Sequence, residues 1–231
     1  MAFRSSSSGT GTNDTATVVV PAGAAKDDIV ILTIAQEAAA AADFVGKYPA
    51  GFTALNEITM TSDGQGGAVA WKRLTAADSG SYTFATLNNG TDWLCQAFCF
   101  SQRHPVNAPI SGITIQNTGQ SSPVTITVAA LTPLPTLAGD DLLWISMPDV
   151  NGTGNGNGHT PPPSFTEQQD AENGWTNLSG ATRENVSGGL ASSISGTFLL
   201  TTGNAGWACV LVRIPAAPSY RGYFLHNVLR H

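Results

Sequence analysis

Four landmarks in the first half of this chain return in the same order about 114 residues later. An offset that stays nearly constant across separate landmarks indicates an internal repeat, and a repeat limits which architectures are open to the chain. The sequence therefore predicts a duplicated β-sheet framework, which favours a scaffold or binding role over an enzyme. The matched segments are Asp27-Asp28-Ile29 with Asp140-Asp141-Leu142, Pro49 and Phe52 with Pro162 and Phe165, Gly80-Ser81-Tyr82-Thr83-Phe84 with Gly196-Thr197-Phe198, and Trp93-Leu94-Cys95 with Trp207-Ala208-Cys209.

The composition favours strands and turns over helices. Charged residues make up 11% of the 231 residues, well below the share in an ordinary globular protein. Gly, Ser, Thr, Asn and Pro replace the missing charge, as expected of a strand-rich chain with many turns. The net charge of -6 argues against a nucleic acid partner, because phosphate binding needs clustered Lys and Arg.

Apolar segments recur about every ten residues and are separated by Gly, Asn, Asp and Ser, which is typical of an all-β sandwich or barrel. Residues 113–129, between the copies, read as strands rather than as a linker. We therefore predict one all-β domain, a jelly-roll-like β-sandwich built from the two repeats, with two tandem small sandwiches as the alternative. The predicted strands are 15–20, 27–35, 52–60, 68–74, 82–86, 93–100, 113–116, 124–129, 141–147, 165–169, 176–182, 197–201 and 207–214.

The edges of these predicted sheets lack their usual protection. Only three lysines occur, Lys26, Lys47 and Lys72, although lysine commonly guards exposed sheet edges. Either neighbouring subunits cover the edges, or bulges and loops of the chain itself do.

The ends of the chain differ in composition from the region between them. Residues 1–14 predict an extended arm, 15–215 the duplicated sandwich and 216–231 an aromatic docking tail. Terminal segments fray unless something ties them down, so we expect both ends to dock onto neighbouring copies in a homo-oligomer. The candidate partner-binding residues are Phe3, Arg4, Tyr220, Tyr223, Phe224 and Leu225.

Each repeat carries an insert after its second strand, and the two inserts are unrelated. In the first copy, residues 38–42 are alanines that predict one or two helical turns. In the second, residues 151–159 are rich in Gly and Asn and predict a flexible loop. Such loops often carry binding, although loops also drift without function. Trp175 is a further candidate binding residue, because it follows Asn173-Gly174 in a predicted loop. Its ring is one on which a sugar can stack, with core packing as the alternative.

No sequence motif for catalysis or metal binding occurs in the chain. It lacks a Gly-x-Ser-x-Gly nucleophile elbow and a His-Glu-x-x-His zinc motif. The run from Asp149 begins like a calcium loop but has no Glu at the twelfth position. We therefore expect no enzyme activity, no cofactor and no metal site.

The cysteines and the start of the chain bear on where the protein is made. Cys95 and Cys99 lie roughly 13 Å apart along a predicted strand, too far for a mutual disulfide. Buried free thiols are expected, with pairing of either to Cys209 as the alternative. Residues 1–5 show no apolar signal region and no segment is long enough for a membrane span, so we expect synthesis in a cytoplasm without membrane insertion.

The order of several short motifs resembles a family of β-sandwich proteins encoded in the structural gene clusters of tailed bacteriophages. That family has a Gly-Asp-Leu-Leu strand, a Pro-Ala-Gly-Trp turn, a Tyr-Tyr-Arg strand and a strand ending in aromatic-Ser-Gly. The resemblance covers about residues 15–215 and departs from the pattern at Phe52, at Trp71-Lys72-Arg73 and at Ser101-Gln102. The motifs that carry it are Pro21-Ala22-Gly23, Asp27-Asp28-Ile29-Val30, Pro49-Ala50-Gly51-Phe52-Thr53, Val69-Ala70-Trp71-Lys72-Arg73-Leu74, Ser81-Tyr82-Thr83-Phe84 and Gln96-Ala97-Phe98-Cys99-Phe100.

This resemblance implies a component of the virion surface. The function expected first is a head decoration (cement) protein that binds the major capsid protein and neighbouring copies of itself, stabilising the outer capsid lattice. The alternative is a tail or fibre module that binds a host receptor or a surface glycan, and a glycan-active enzyme ranks third.

Overall fold

In a computed structural model, the chain consists of β-strands joined by turns and loops. The described residues are 3–12, 14–37, 39, 43–60, 65–85, 91–101, 103, 105–120, 124–128, 137–148, 159–174, 176–187, 194–198 and 205–217. Every regular element among them is a strand, which confirms the predicted all-β class. The strands are β1 (Phe3–Gly11), β2 (Ala16–Val19), β3 (Ile29–Gln36), β4 (Thr53–Thr59), β5 (Gly66–Arg73), β6 (Ser81–Phe84), β7 (Trp93–Phe100), β8 (Ile110–Gln120), β9 (Val124–Val128), β10 (Asp141–Pro148), β11 (His159–Thr160), β12 (Thr166–Asn173), β13 (Thr176–Arg183), β14 (Ile194–Phe198) and β15 (Ala205–Ile214).

Two five-stranded sheets form the centre of the molecule. The first large sheet has the order β1-β7-β3-β5-β4, and the second has the order β12-β13-β10-β15-β8. Each draws all its strands from one half of the chain, β1–β7 (the first half) or β8–β15 (the second half). If β11 is set aside and the strands of each half are counted in chain order, the two sheets have the same order. The jelly-roll connectivity expected from the sequence is not confirmed by these orders.

A small sheet covers the outer face of each large sheet. It is formed by β2 and β6 in the first half and by β11, β14 and β9 in the second. One apolar core lies under each small sheet, and a third, the central core, joins the two large sheets face to face. The molecule therefore has four layers, with the two large sheets inside and a small sheet on each outer side. Both halves contribute side chains to the central core.

The edges of the two large sheets meet in a reciprocal way. Strand β1 contacts β12 on one side of the molecule, and β4 contacts β8 on the other. In the matching strand orders, β1 is equivalent to β8 and β4 is equivalent to β12. Each contact therefore joins one edge of a large sheet to the non-equivalent edge of the other large sheet. Reciprocal contacts of this kind are those that an approximate two-fold axis between the halves produces.

Equivalent turns precede the first buried strand of each half. The Asp28 carboxylate accepts a hydrogen bond from the backbone N–H three residues before it at 2.9 Å, and the Asp140 carboxylate does so at 2.7 Å. Asp28 therefore corresponds to Asp140, whereas the sequence match paired it with Asp141. A shift of one residue moves every side chain of a strand to the opposite face. The observed match keeps Val30 and Leu142 both facing the outer cores of their halves.

The N-terminal segment, expected as an extended arm, lies on its own chain. Residues 3–11 form β1 and pair antiparallel with β7 along the whole strand. The run Ser5–Ser8 gives little strand signal, so pairing with the apolar β7 determines its conformation here. The side chains of β1 also reach the second half, because Gln169 Nε2 donates to Ser6 Oγ at 2.8 Å and Asn173 Nδ2 donates to the Gly11 carbonyl at 3.0 Å.

Close approach of the two large sheets depends on a glycine. A Cβ at Gly180 of β13 would lie 2.2 Å from Cζ of Phe98 on β7, so the Phe98 ring lies directly over the Gly180 backbone. Nearby, Gln96 Nε2 donates to the Leu178 carbonyl at 2.8 Å across the same interface. Both contacts belong to the central core and fix how the two halves dock.

All three cysteines are buried and free. Burial raises the pKa of each thiol above its ordinary value. A protonated, buried thiol is a poor nucleophile, so these cysteines contribute to packing.

Candidate functional site

The longest strand, β8, forms an outer edge of the second large sheet and has no charged residue in its eleven residues. Among the described strands it pairs only with β15. A strand at an edge presents a row of backbone N–H and C=O groups to a further strand. Strand β8 is therefore a surface on which another chain can add a strand.

All four edge strands of the large sheets pair with a register irregularity, β8 included, but only the other three also carry charges. Strand β12 carries Glu167, Asp170 and Glu172, while β4 carries Glu57 and a bulge between Ala54 and Asn56. Strand β1 carries Arg4 and an irregularity between Phe3 and Ser5. Charges and bulges disfavour edge-to-edge pairing. Among the described edges of the large sheets, β8 alone has no charge.

The sequence carries one signal for this edge. No Asp, Glu, Lys or Arg stands between Arg103 and Asp140. The stretch was predicted to contain strands, but only the sheet order shows that one of them lies at an edge.

Two of the predicted partner-binding residues contact their own chain. The Phe3 ring packs edge-on against Phe100, with ring centroids 5.7 Å apart. Arg4 Nε lies 2.9 Å from the buried carboxylate of Asp28. These contacts hold β1 in place, so both side chains bind other residues of the same chain. The remaining candidates, Trp175, Tyr220, Tyr223, Phe224 and Leu225, lie outside the described residues.

The strands that flank the two inserts end on the same side of the molecule. Strand β3 ends at Gln36, which is paired with Trp93, and β10 ends at Pro148, which is paired with Trp207. The β12–β13 turn lies beside them, because Asn173 Nδ2 also donates to the Trp93 carbonyl at 3.4 Å. The strands that precede the two inserts and Trp175 therefore all end on one side of the molecule. Residues 38, 40–42, 149–158 and 175 themselves lie outside the described part, and with them the predicted helical turns.

Two buried ion pairs support the start of the second half. Arg103 Nη2 lies 2.6 Å from Asp141 Oδ2, and Arg213 Nε lies 2.6 Å from Asp140 Oδ2. Arg103 stands in the connection between the halves and also donates to the Gly139 carbonyl at 3.2 Å. Burial raises the pKa of Asp141 to about 6. These four side chains tie the connection to β10 and β15 and contact no open surface, so their role is structural.

A buried histidine lies beside an acid on the edge strand β12. His159 Nε2 is 3.6 Å from Asp170 Oδ1, and the histidine side chain is fully buried. Burial lowers the pKa of His159 to about 3 and raises the pKa of Asp170 to about 6. At neutral pH the imidazole is therefore uncharged in the folded protein.

Replacing His159 with glutamine should change how stability depends on pH. As pH falls from 6.5 towards 3, the unfolded chain binds a proton at His159 and the folded chain does not. The wild type should then lose stability relative to His159→Gln by about 1.4 kcal/mol per pH unit. Urea unfolding of both proteins across this range measures the difference. A difference that stays constant with pH would contradict the buried, neutral histidine.

No group of three or more His, Cys, Asp and Glu side chains is placed to hold a metal ion in the part of the chain that the structure describes. In the same residues, no helix has the length and apolar character to cross a membrane. Comparisons with protein-family models, with curated proteins and with solved structures found no match.

Proposed function

We propose that this chain is a non-enzymatic structural protein of a tailed-phage virion that decorates the head by binding the outer capsid lattice. The observation that carries the proposal is the uncharged edge of β8. An exposed edge strand binds partners by strand addition, in which backbone hydrogen bonds give affinity. The order of the sequence motifs supplies the phage context.

The rest of the molecule suits a lattice protein. The central core joins the two halves through buried apolar side chains of both large sheets, so a load applied to one half is transmitted to the other. The chain as a whole carries a net charge of -6, which opposes self-association except where charge is absent. The edge of β8 is such a place, so it is where we expect the major capsid protein and neighbouring copies to bind.

A second candidate function is a tail or fibre module that binds a glycan. The observation in its favour is that the strands preceding both inserts and Trp175 all end on one side of the molecule. Variable loops on a rigid scaffold are a common way to build a binding surface.

Counting copies of the chain in purified particles distinguishes these functions. Quantitative mass spectrometry against the major capsid protein should find hundreds of copies per particle if the chain decorates the lattice. A few to a few dozen copies would place it in the tail or at a vertex, and none would contradict a virion role.

A charged residue on β8 should weaken binding to particles that lack the protein. Ile115 is 37% exposed on β8, and Ile115→Lys places a lysine on this edge strand, where it opposes strand addition. We expect about a tenfold loss of affinity, equivalent to about 1.4 kcal/mol. Thr166→Lys on the edge strand β12 is the matched control and should bind normally. Equal binding by both variants, with circular dichroism confirming their folds, would exclude β8 as the contact.

A further inference from the structure

A row of side chains crosses the second large sheet beneath the small sheet that contains β11. Asp170 is paired with Ser179, Ser179 with Ser146, and Ser146 with Cys209. Directly paired residues of antiparallel strands project from the same face of a sheet. We name these four residues the polar row. It begins at the edge strand β12, where the Asp170 side chain is 32% exposed, and runs into the buried interior.

The middle of the polar row has unpaired hydrogen-bonding groups. The Ser146 and Ser179 side chains are fully buried, and neither hydroxyl has a hydrogen-bond partner. Asn177 and Trp207 stand two residues before Ser179 and Cys209, on the same face of the sheet. The Asn177 amide nitrogen and the Trp207 indole nitrogen are also buried and unpartnered. A buried polar group without a partner costs about 1–3 kcal/mol. Four such groups lie together here, which distinguishes the polar row as a place where a polar molecule can gain hydrogen bonds.

The first half shows that the fold does not require these groups. Its equivalent row pairs Glu57 with Ala68, Ala68 with Ile34, and Ile34 with Cys95. The row again begins with an acid on the edge strand and ends with a cysteine, but its middle is apolar. Even the neighbour of the acid is matched, because the Tyr48 hydroxyl donates to Glu57 at 3.0 Å where His159 lies beside Asp170. The two hydroxyls are thus specific to the second half.

We propose that the polar row binds a neutral, hydroxyl-rich ligand, a sugar, which enters from the β12 edge. Serine hydroxyls both donate and accept hydrogen bonds, and the Asn177 amide and the Trp207 indole nitrogen donate. Sugar hydroxyls match this mixture, because each also donates and accepts. The Asp170 carboxylate at the entrance accepts from two further hydroxyls. A charged ligand would find no counter-charge among the buried members of the set, which makes its burial costly.

This site uses neither β8 nor Trp175, so it goes beyond the head-binding function and is separate from the loop end. Trp207 contributes through its indole N–H, because its ring packs within the outer core of the second half.

Titration with neutral methyl glycosides tests the site. The probes are the methyl glycosides of glucose, galactose and mannose, followed by intrinsic tryptophan fluorescence and by thermal unfolding. At least one should give a saturable fluorescence change and raise the Tm. In Ser146→Ala/Ser179→Ala, which removes both hydroxyls, the affinity for that glycoside should fall about tenfold, the loss of 1.4 kcal/mol that one or two hydrogen bonds represent.

The controls separate binding from folding. The double variant should unfold at the same or a higher temperature than the wild type, because it removes unpaired buried groups. Should it fail to fold, Ser179→Ala alone serves, since alanine already occupies the matched position Ala68. The reverse change, Ala68→Ser in the first half, should leave glycoside affinity unchanged. Absence of saturation by every glycoside, or equal affinity in the serine variants, would overturn the proposal without affecting the copy number on particles.

Discussion

Replacing Arg103 with methionine is expected to lower the free energy of unfolding by about 3–5 kcal/mol at neutral pH, as when one partner of a buried ion pair is removed. The Arg103 and Asp141 side chains are 4% and 0% exposed. Without the guanidinium, Asp141 keeps one hydrogen bond, from the Asn185 backbone N–H at 2.9 Å, and its negative charge is otherwise uncompensated. The loss should be seen in urea unfolding as a lower midpoint with an unchanged slope.

The same variant should recover stability as pH falls. The pKa of Asp141 is raised to about 6 with Arg103 in place, and removing the positive charge raises it further. A group whose pKa is higher in the folded than in the unfolded state binds protons on folding, so lowering the pH stabilises the fold. The penalty of Arg103→Met should therefore shrink as pH falls from the higher pKa of Asp141 in the variant to about 6, and should stay constant below that, where Asp141 is protonated in both folded proteins.

The control is the double variant Arg103→Met/Asp141→Asn. It removes both charges and keeps an acceptor for the Asn185 N–H, so it should recover most of the lost stability. A loss below about 1 kcal/mol for Arg103→Met, of the size of an exposed pair, would contradict a buried ion pair.

Replacing Gly180 with alanine should lower the free energy of unfolding by about 1–3 kcal/mol, the usual cost of overpacking a core. The added methyl group would lie 2.2 Å from Phe98 Cζ. One of the two large sheets must then move, and the central core opens. Denaturant unfolding measures the loss.

A second change on the facing strand tests the cause. Phe98→Leu removes the ring atoms that the new methyl group meets, so Gly180→Ala should cost less in that background than in the wild type. The coupling free energy from the four proteins should be favourable and within about 0.5–3 kcal/mol, as for residues in contact. Additive effects would show that the two residues do not oppose each other across the interface.

The strands were predictable from the sequence because their residues alternate or run apolar between turn residues. All thirteen predicted strands overlap observed ones, and β1 and β11 were not predicted. Strand β1 was not predicted because Ser5–Ser8 has no apolar pattern, and pairing with β7 sets the conformation of β1. Strand β11 was not predicted because it has only two residues.

The pairing of strands was not predictable in the same way. Adjacent aspartates at 27–28 and 140–141 offered two matches that differ by one residue, and only the hydrogen bonds to Asp28 and Asp140 distinguish them. The polar row could not be predicted from the sequence either. Its members become neighbours only through the strand register: Asp170, Ser179, Ser146 and Cys209. The edge position of β8 depends on the sheet order as well.

The reciprocal contacts of the two large sheets leave the two halves free to differ at equivalent positions. A symmetric homodimer has the same residue at both equivalent positions. Here both halves belong to one polypeptide, so a substitution in one half is not repeated in the other. The second half therefore carries an uncharged edge and buried hydroxyls where the first half carries charged edges and apolar packing.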